Sequence, residues 1–154
     1  MTTPKFHFRL STLLSLRQSV RDQCRVRLAE ARRADAEIES RLAELRAEQV
    51  RTEGEHRRAA GPGEVRLDQL AEAGRYVATL RARQAELRQR RETLAVEIQR
   101  RRVALLDADR DVRSLEKLRD RDQQQHRTET GRREARQLDE VVSGRWPAAS
   151  ETMP

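Results

Sequence analysis

Ala60-Gly61-Pro62-Gly63 is the stretch that decides the fold. Proline lacks a backbone donor and glycine favours left-handed turn geometry, so this tetrapeptide ends one helix and opens another. On either side the chain is free of proline: Pro4, Pro62, Pro147 and Pro154 are the only four in 154 residues. The flanking segments are built from Ala, Leu, Arg, Glu and Gln, the strong helix formers. The reading is a first helix from about Ser11 to Ala59 and a second from about Leu67 to Val142. At 1.5 Å per residue these span roughly 75 Å and 110 Å. Elements of that length cannot wrap a compact centre and must pair along their sides.

Composition agrees. Charged residues make up 38% of the chain and aromatic ones only 3%, too few for a thick core but enough for a thin apolar stripe. Cys24 is the single cysteine, which excludes an internal disulfide framework. No apolar run approaches the roughly 20 residues that cross a bilayer, and the start lacks the apolar block of a secretory signal. These features predict a soluble, cytoplasmic, all-helical protein.

The apolar residues follow a three-four alternation. In helix two it passes through Val77, Leu80, Gln84, Leu87, Arg91, Leu94, Ile98, Arg101, Leu105, Ala108, Val112 and Leu115, nine of the twelve apolar, which is the pattern of a coiled-coil seam. In helix one it passes through Leu10, Leu13, Val20, Cys24, Leu28, Ala31, Ile38, Leu42 and Leu45, with a stutter over residues 20–28. Partners in an antiparallel pair have nearly constant number sums. Leu45 with Leu80, Ile38 with Leu87, Ala31 with Leu94, Val20 with Leu105, Leu13 with Val112 and Leu10 with Leu115 all sum to 125, centred on the Gly-Pro-Gly turn. The fold class is therefore all-α, a long two-helix antiparallel coiled-coil hairpin with a C-terminal helical overhang. Its expected divisions are an N-terminal segment 1–8, helix one over 9–59, a turn over 60–66, helix two over 67–142 and a flexible tail over 143–154. Helix two is expected to be unpaired beyond about residue 119, because helix one is exhausted near Phe8, opposite Lys117. Past a polar stretch, Leu138, Val141, Val142 and Trp146 then form a small apolar patch, read either as incidental hydrophobics of a frayed chain end or as a tip that docks into a partner.

Catalytic chemistry finds little support. His7, His56 and His126 are scattered, and neither a metal-binding His pair nor a phosphate-cradling glycine loop is present. Cys24 has no neighbouring His base; it faces Arg101 across the seam and reads as a seam filler. The chain reads as a non-enzyme without cofactor or metal. Its formal net charge of +7 is concentrated in residues 81–102, where Arg88, Arg90, Arg91, Arg100, Arg101 and Arg102 form a basic patch. That patch suits an acidic surface better than nucleic acid, since carboxylates interrupt it and aromatic residues for base stacking are almost absent.

The opening Lys5-Phe-His-Phe-Arg-Leu-Ser-Thr-Leu-Leu-Ser-Leu-Arg17 resembles the start of the FliJ family of flagellar export proteins, a basic/Phe alternation leading into a Leu-Leu-x-Leu-Arg helix. Leu115-Glu-Lys-Leu-Arg119, Arg132-Arg-Glu134 and Leu138-Asp-Glu140 are similar to that family's C-terminal signature. The resemblance implies a stalk-like, non-enzymatic component of the flagellar type III export apparatus. Such a component binds the hexameric export ATPase FliI, links it to the export gate protein FlhA, and handles export chaperones. It is cytoplasmic and peripheral at the inner membrane. Carried onto this chain, the resemblance implies that Leu118, Leu138, Asp139, Glu140 and Trp146 lie toward the ATPase end. Tyr76 and Leu80 match an aromatic-x-x-x-Leu pattern of the gate-contacting face, although Leu80 is also a seam residue. The readings outside this family are a generic coiled-coil scaffold or a basic nucleic-acid-binding hairpin.

Overall fold

Helix formers fill both segments without interruption, and the computed structural model, which describes residues 5–61 and 67–144, contains two helices: α1 (Ser11–Ala59) and α2 (Leu67–Gly144). They pack as an all-α antiparallel hairpin. Before α1, the Ser11 amide donates to the Phe8 carbonyl at 3.1 Å and Leu14 to Leu10 at 2.9 Å, so the helical path is entered from a turn at residues 9–10. At its far end Arg57 and Arg58 place positive charge against the negative end of the helix dipole. The Gly61 amide then closes a turn on the Arg58 carbonyl at 3.2 Å. Gly61 itself makes no use of left-handed geometry, since no described glycine has a positive φ. Gly61 is instead favoured by crowding, since a Cβ would sit 3.2 Å from the Arg58 carbonyl oxygen. Pro62 and Gly63 lie outside the described residues.

The helix pair divides into two units. The first joins the residues up to 20 with those from 108 onward, and the second comprises residues 21–107. In the second unit Leu28, Ala31, Leu42, Leu45, Val77 and Leu80 are buried, with Leu80 at 0% exposure. Each polar α2 seam residue reaches an α1 partner. Gln84 donates to the Gln49 side-chain oxygen at 2.8 Å. Arg91 forks onto Asp35 at 2.9 and 3.3 Å and reaches Glu39 at 3.3 Å. Arg101 donates to the Arg27 carbonyl at 2.5 Å. The seam tolerates these residues because their donors have acceptors.

In the first unit Phe8, Leu14 and Val112 form a buried cluster, with Phe6, Leu10, Leu115 and Leu118 packed against it. This corrects the expected register of α1. Leu13 is 38% exposed and Val20 37%, whereas Leu14 is only 6% exposed. Val112 therefore packs with Leu14 instead of Leu13. A seam through Leu10, Leu14, Arg17, Arg21, Cys24 and Leu28 keeps unbroken three-four spacing, so the expected stutter is unnecessary. Apolarity alone pointed to Leu13 and Val20; the alternation is kept by two arginines, and Arg17 pairs with Asp111 at 3.1 Å.

The N-terminal segment accompanies α2 beyond the expected residue 119. The Phe6 ring lies 5.7 Å from that of His126, tilted by 47°. From residue 131 to residue 144 every position of α2 is exposed, and this is the helical overhang.

Candidate partner-binding surfaces

The residues expected at the C-terminal end separate into two kinds. Leu118 is half-buried against the Phe8–Leu14–Val112 cluster, so its side chain serves intramolecular packing. Leu138, Asp139 and Glu140 are exposed, with Leu138 at 66%. Val141 and Val142 are exposed alongside Leu138 at i+3 and i+4, one face of a helix whose opposite side is polar. The helix here is regular, and the Ser143 hydroxyl bonds back to the Asp139 carbonyl at 2.6 Å. Trp146 lies outside the described residues.

Tyr76 and Leu80, expected on one gate-binding face, part company. Leu80 is fully buried in the seam, since its heptad position directs it at α1, and it cannot meet a partner without opening the hairpin. Tyr76 is 41% exposed and its hydroxyl donates to the Glu48 carboxylate of α1. That bond pushes the phenol pKa above its usual value, because the neutral hydroxyl is the donor. Beside it, Gln69, Glu72, Ala73, Arg75, Tyr76 and Thr79 line an open depression of about 540 Å³. The Tyr76–Glu48 contact was not recognised in the sequence, although their numbers sum to 124, close to the 125 expected for facing residues.

The basic patch is not one surface. Arg88 donates to Gln84 at 3.2 Å, Arg90 pairs with Glu86 at 2.9 Å, and Arg91 is held by Asp35 and Glu39. The hydrogen bond from Arg91 to Asp35 raises the guanidinium pKa further. Arg101 is divided between Glu97, at 2.7 Å, and the Arg27 carbonyl. Arg100 and Arg102 are exposed, and at 100° per residue they point to different sides of α2. Three of the six arginines, Arg90, Arg91 and Arg101, are thus held by carboxylates.

Cys24 is half-buried and shares a cavity of about 400 Å³ with Arg27, Glu97, Arg100, Arg101 and Ala104. The Arg101 guanidinium is engaged by Glu97 and the Arg27 carbonyl, and the residues lining this cavity include no histidine. His56 packs by a cavity of about 330 Å³ bounded by Thr52, Ala59, Gln69 and Leu70, its Nε2 without a hydrogen-bond partner among the described residues. The described residues contain no cluster of potential metal ligands, and neither helix is long and apolar enough to cross a membrane.

Two exposed surfaces on a helical hairpin suit an interaction protein, and the comparison with protein families names its kind. The family described as "Flagellar FliJ protein" matches residues 6–151. The chain belongs to the FliJ family. Comparison with curated proteins and with solved structures found no match. As a FliJ-family chain it is a component connected with flagellar protein export, in a family without catalytic function. The match takes in both helices and the overhang, so the exposed Leu138–Val142 face is part of the family domain and not an appendage to it.

Proposed function

We propose that this protein is the stalk of the flagellar type III export machinery, coupling the export ATPase FliI to the export gate FlhA and receiving export chaperones. It supplies no catalytic group. The paired start of α1 and end of α2 enter the ATPase ring, and their packing biases the ring's conformational cycle. It works at the cytoplasmic face of the inner membrane, held there by the export apparatus. The family match over residues 6–151 carries this reading. The exposed Leu138, Val141 and Val142 supply the apolar contact a ring protein could grip, with Asp139 and Glu140 beside them. Trp146 is assigned to the same end. Leu118 acts indirectly, by fixing the N-terminal segment to α2.

For the gate, the contact is assigned to the Tyr76 side of α2, through the depression lined by Glu72, Tyr76 and Thr79. Leu80 supports that surface from within the seam. Arg100 and Arg102 are dispensable for both contacts.

The test is stimulation of the cognate export ATPase by the purified chain. Leu138→Glu combined with Val142→Glu should abolish stimulation with helicity unchanged, while Arg100→Ala with Arg102→Ala should preserve it. Full stimulation by the Leu138/Val142 variant would overturn the ATPase assignment. Tyr76→Ala should weaken gate binding and leave ATPase stimulation intact.

A further inference from the structure

Two exposed stripes in the first unit share one spacing. Arg9, in the turn that leads into α1, precedes Leu13 by four residues, and Leu16 follows on α1 three later; on α2, Glu134, Leu138 and Val141 repeat the same four and three steps. Leu13 is 38% exposed, Leu16 59%, Leu138 66% and Val141 58%. Val20 extends the first stripe and Val142 widens the second, both exposed. The charge that heads each stripe is opposite in sign, and neither Arg9 nor Glu134 has an ion pair among the described residues.

The ends that carry these stripes are also mismatched to their own helix dipoles. Residues 5–21 contain Lys5, Arg9, Arg17 and Arg21 and no carboxylate, and the first turn of α1 has no acidic residue. The last turn of α2 has no basic residue, and Asp139 and Glu140 lie just before it. Acidic groups favour helix starts and basic groups helix ends. Each end thus lacks the charge that the other possesses.

We infer that these stripes dock on one another between two copies of this chain. The end of α2 from one copy lies parallel to the start of α1 in the other, placing Glu134 against Arg9, Leu138 against Leu13 and Val141 against Leu16. This direction fits a two-fold pair: α1 is antiparallel to its own α2, so an α2 parallel to α1 belongs to a copy running the opposite way. Each copy then gives one stripe and receives the other, and the contact is made twice. A few apolar residues per contact make a small interface, so the dimer is weak and reversible. It covers Leu138 and Val141, and a copy so paired cannot offer them to another partner. The inference goes beyond the stalk reading, which does not require it.

Sedimentation equilibrium of the full chain, from about 10 µM to about 1 mM, tests it. The wild type should show a monomer–dimer equilibrium that weakens with salt. Leu16→Glu and Val141→Glu, both at exposed sites, should each weaken association at least about tenfold, the effect of about 1.4 kcal/mol, with unchanged circular dichroism. Arg9→Glu and Glu134→Arg should each weaken it singly, and the two combined should restore it. A wild type that stays monomeric over the whole range overturns the inference. So does association indifferent to Leu16→Glu and Val141→Glu, or a charge exchange that fails to restore pairing. Should the chain stay monomeric while Val141→Glu abolishes ATPase stimulation, the stripe serves the ATPase alone and self-docking is wrong. The sedimentation result uses no ATPase, so its failure leaves the stalk reading standing.

Discussion

Gln84 of α2, buried to 3% exposure, donates its side-chain amide to the Gln49 carbonyl oxygen of α1 at 2.8 Å. Gln49 in turn donates to Glu53 at 2.8 Å, and Arg81 returns to Glu53 from α2 at 3.1 Å. Arg88 donates to Gln84 at the other end of this relay. Replacing Gln84 alone by Leu leaves the Gln49 oxygen facing apolar atoms and should cost about 1–3 kcal/mol. Replacing both glutamines by Leu should recover most of that loss. A double-mutant cycle by urea unfolding should give a coupling of about 1–3 kcal/mol, and no coupling would show the bond to be incidental.

The corrected register separates two adjacent leucines. Leu14→Ala empties a site packed against Phe8 and Val112 and should cost about 2–4 kcal/mol. Leu13→Ala, at a position 38% exposed, should cost less than about 1 kcal/mol. Thermal unfolding of the two variants decides it. Equal losses would restore the stuttered seam.

The hairpin itself was legible because its signals are local and redundant. A lone Gly-Pro-Gly break, the absence of other internal prolines and the three-four alternation each demand two helices. The register of α1 near its start was not, because apolarity is a poor guide where arginine stems fill seam positions. Arg17 and Arg21 can lie over apolar neighbours while their charged ends reach water or a carboxylate, so Leu13 and Val20 looked like the better seam. Leu80 shows the same limit for function: one side chain matched both a seam position and a binding motif, and only burial separates them. Tyr76 was legible as a residue, but its partner Glu48, on the other helix, was not.

Stability should respond to pH at both extremes. Gln49 and Arg81 hydrogen bonds hold the Glu53 carboxyl below its usual range, so its contribution is present near neutrality and disappears as pH falls through the lowered value. Tyr76 is shifted upward by its bond to Glu48, so its contribution is present below the usual phenol pKa and is lost as pH rises through the raised one. Melting temperatures across pH should fall at both ends. Glu53→Gln should flatten part of the acid limb and Tyr76→Phe part of the alkaline one. Unchanged limbs in these variants would assign the pH dependence to other groups.

Gly74 sits within α2, and a Cβ added there meets no atom within 4 Å. Gly74→Ala should therefore stabilise the helix by about 0.5–1 kcal/mol, since alanine loses less backbone freedom on folding. Urea unfolding measures the gain, and a loss of stability would mean that a Cβ at this position meets a contact within the chain after all.

The polar seam residues bear on how the chain avoids misfolding. Leucines seven residues apart are nearly interchangeable, so a hairpin slipped by one heptad would still bury a respectable apolar line. Arg91 and Gln84 would not survive that slip equally well, because Asp35 and Gln49 would be carried about 10 Å away along the helix axis. A slipped hairpin would then lose the contacts to Asp35 and Gln49, and would reopen faster than the native one. The price of those polar positions in burial is thus returned as proofreading: the chain can test a trial alignment, discard it and close again in the one that keeps both contacts.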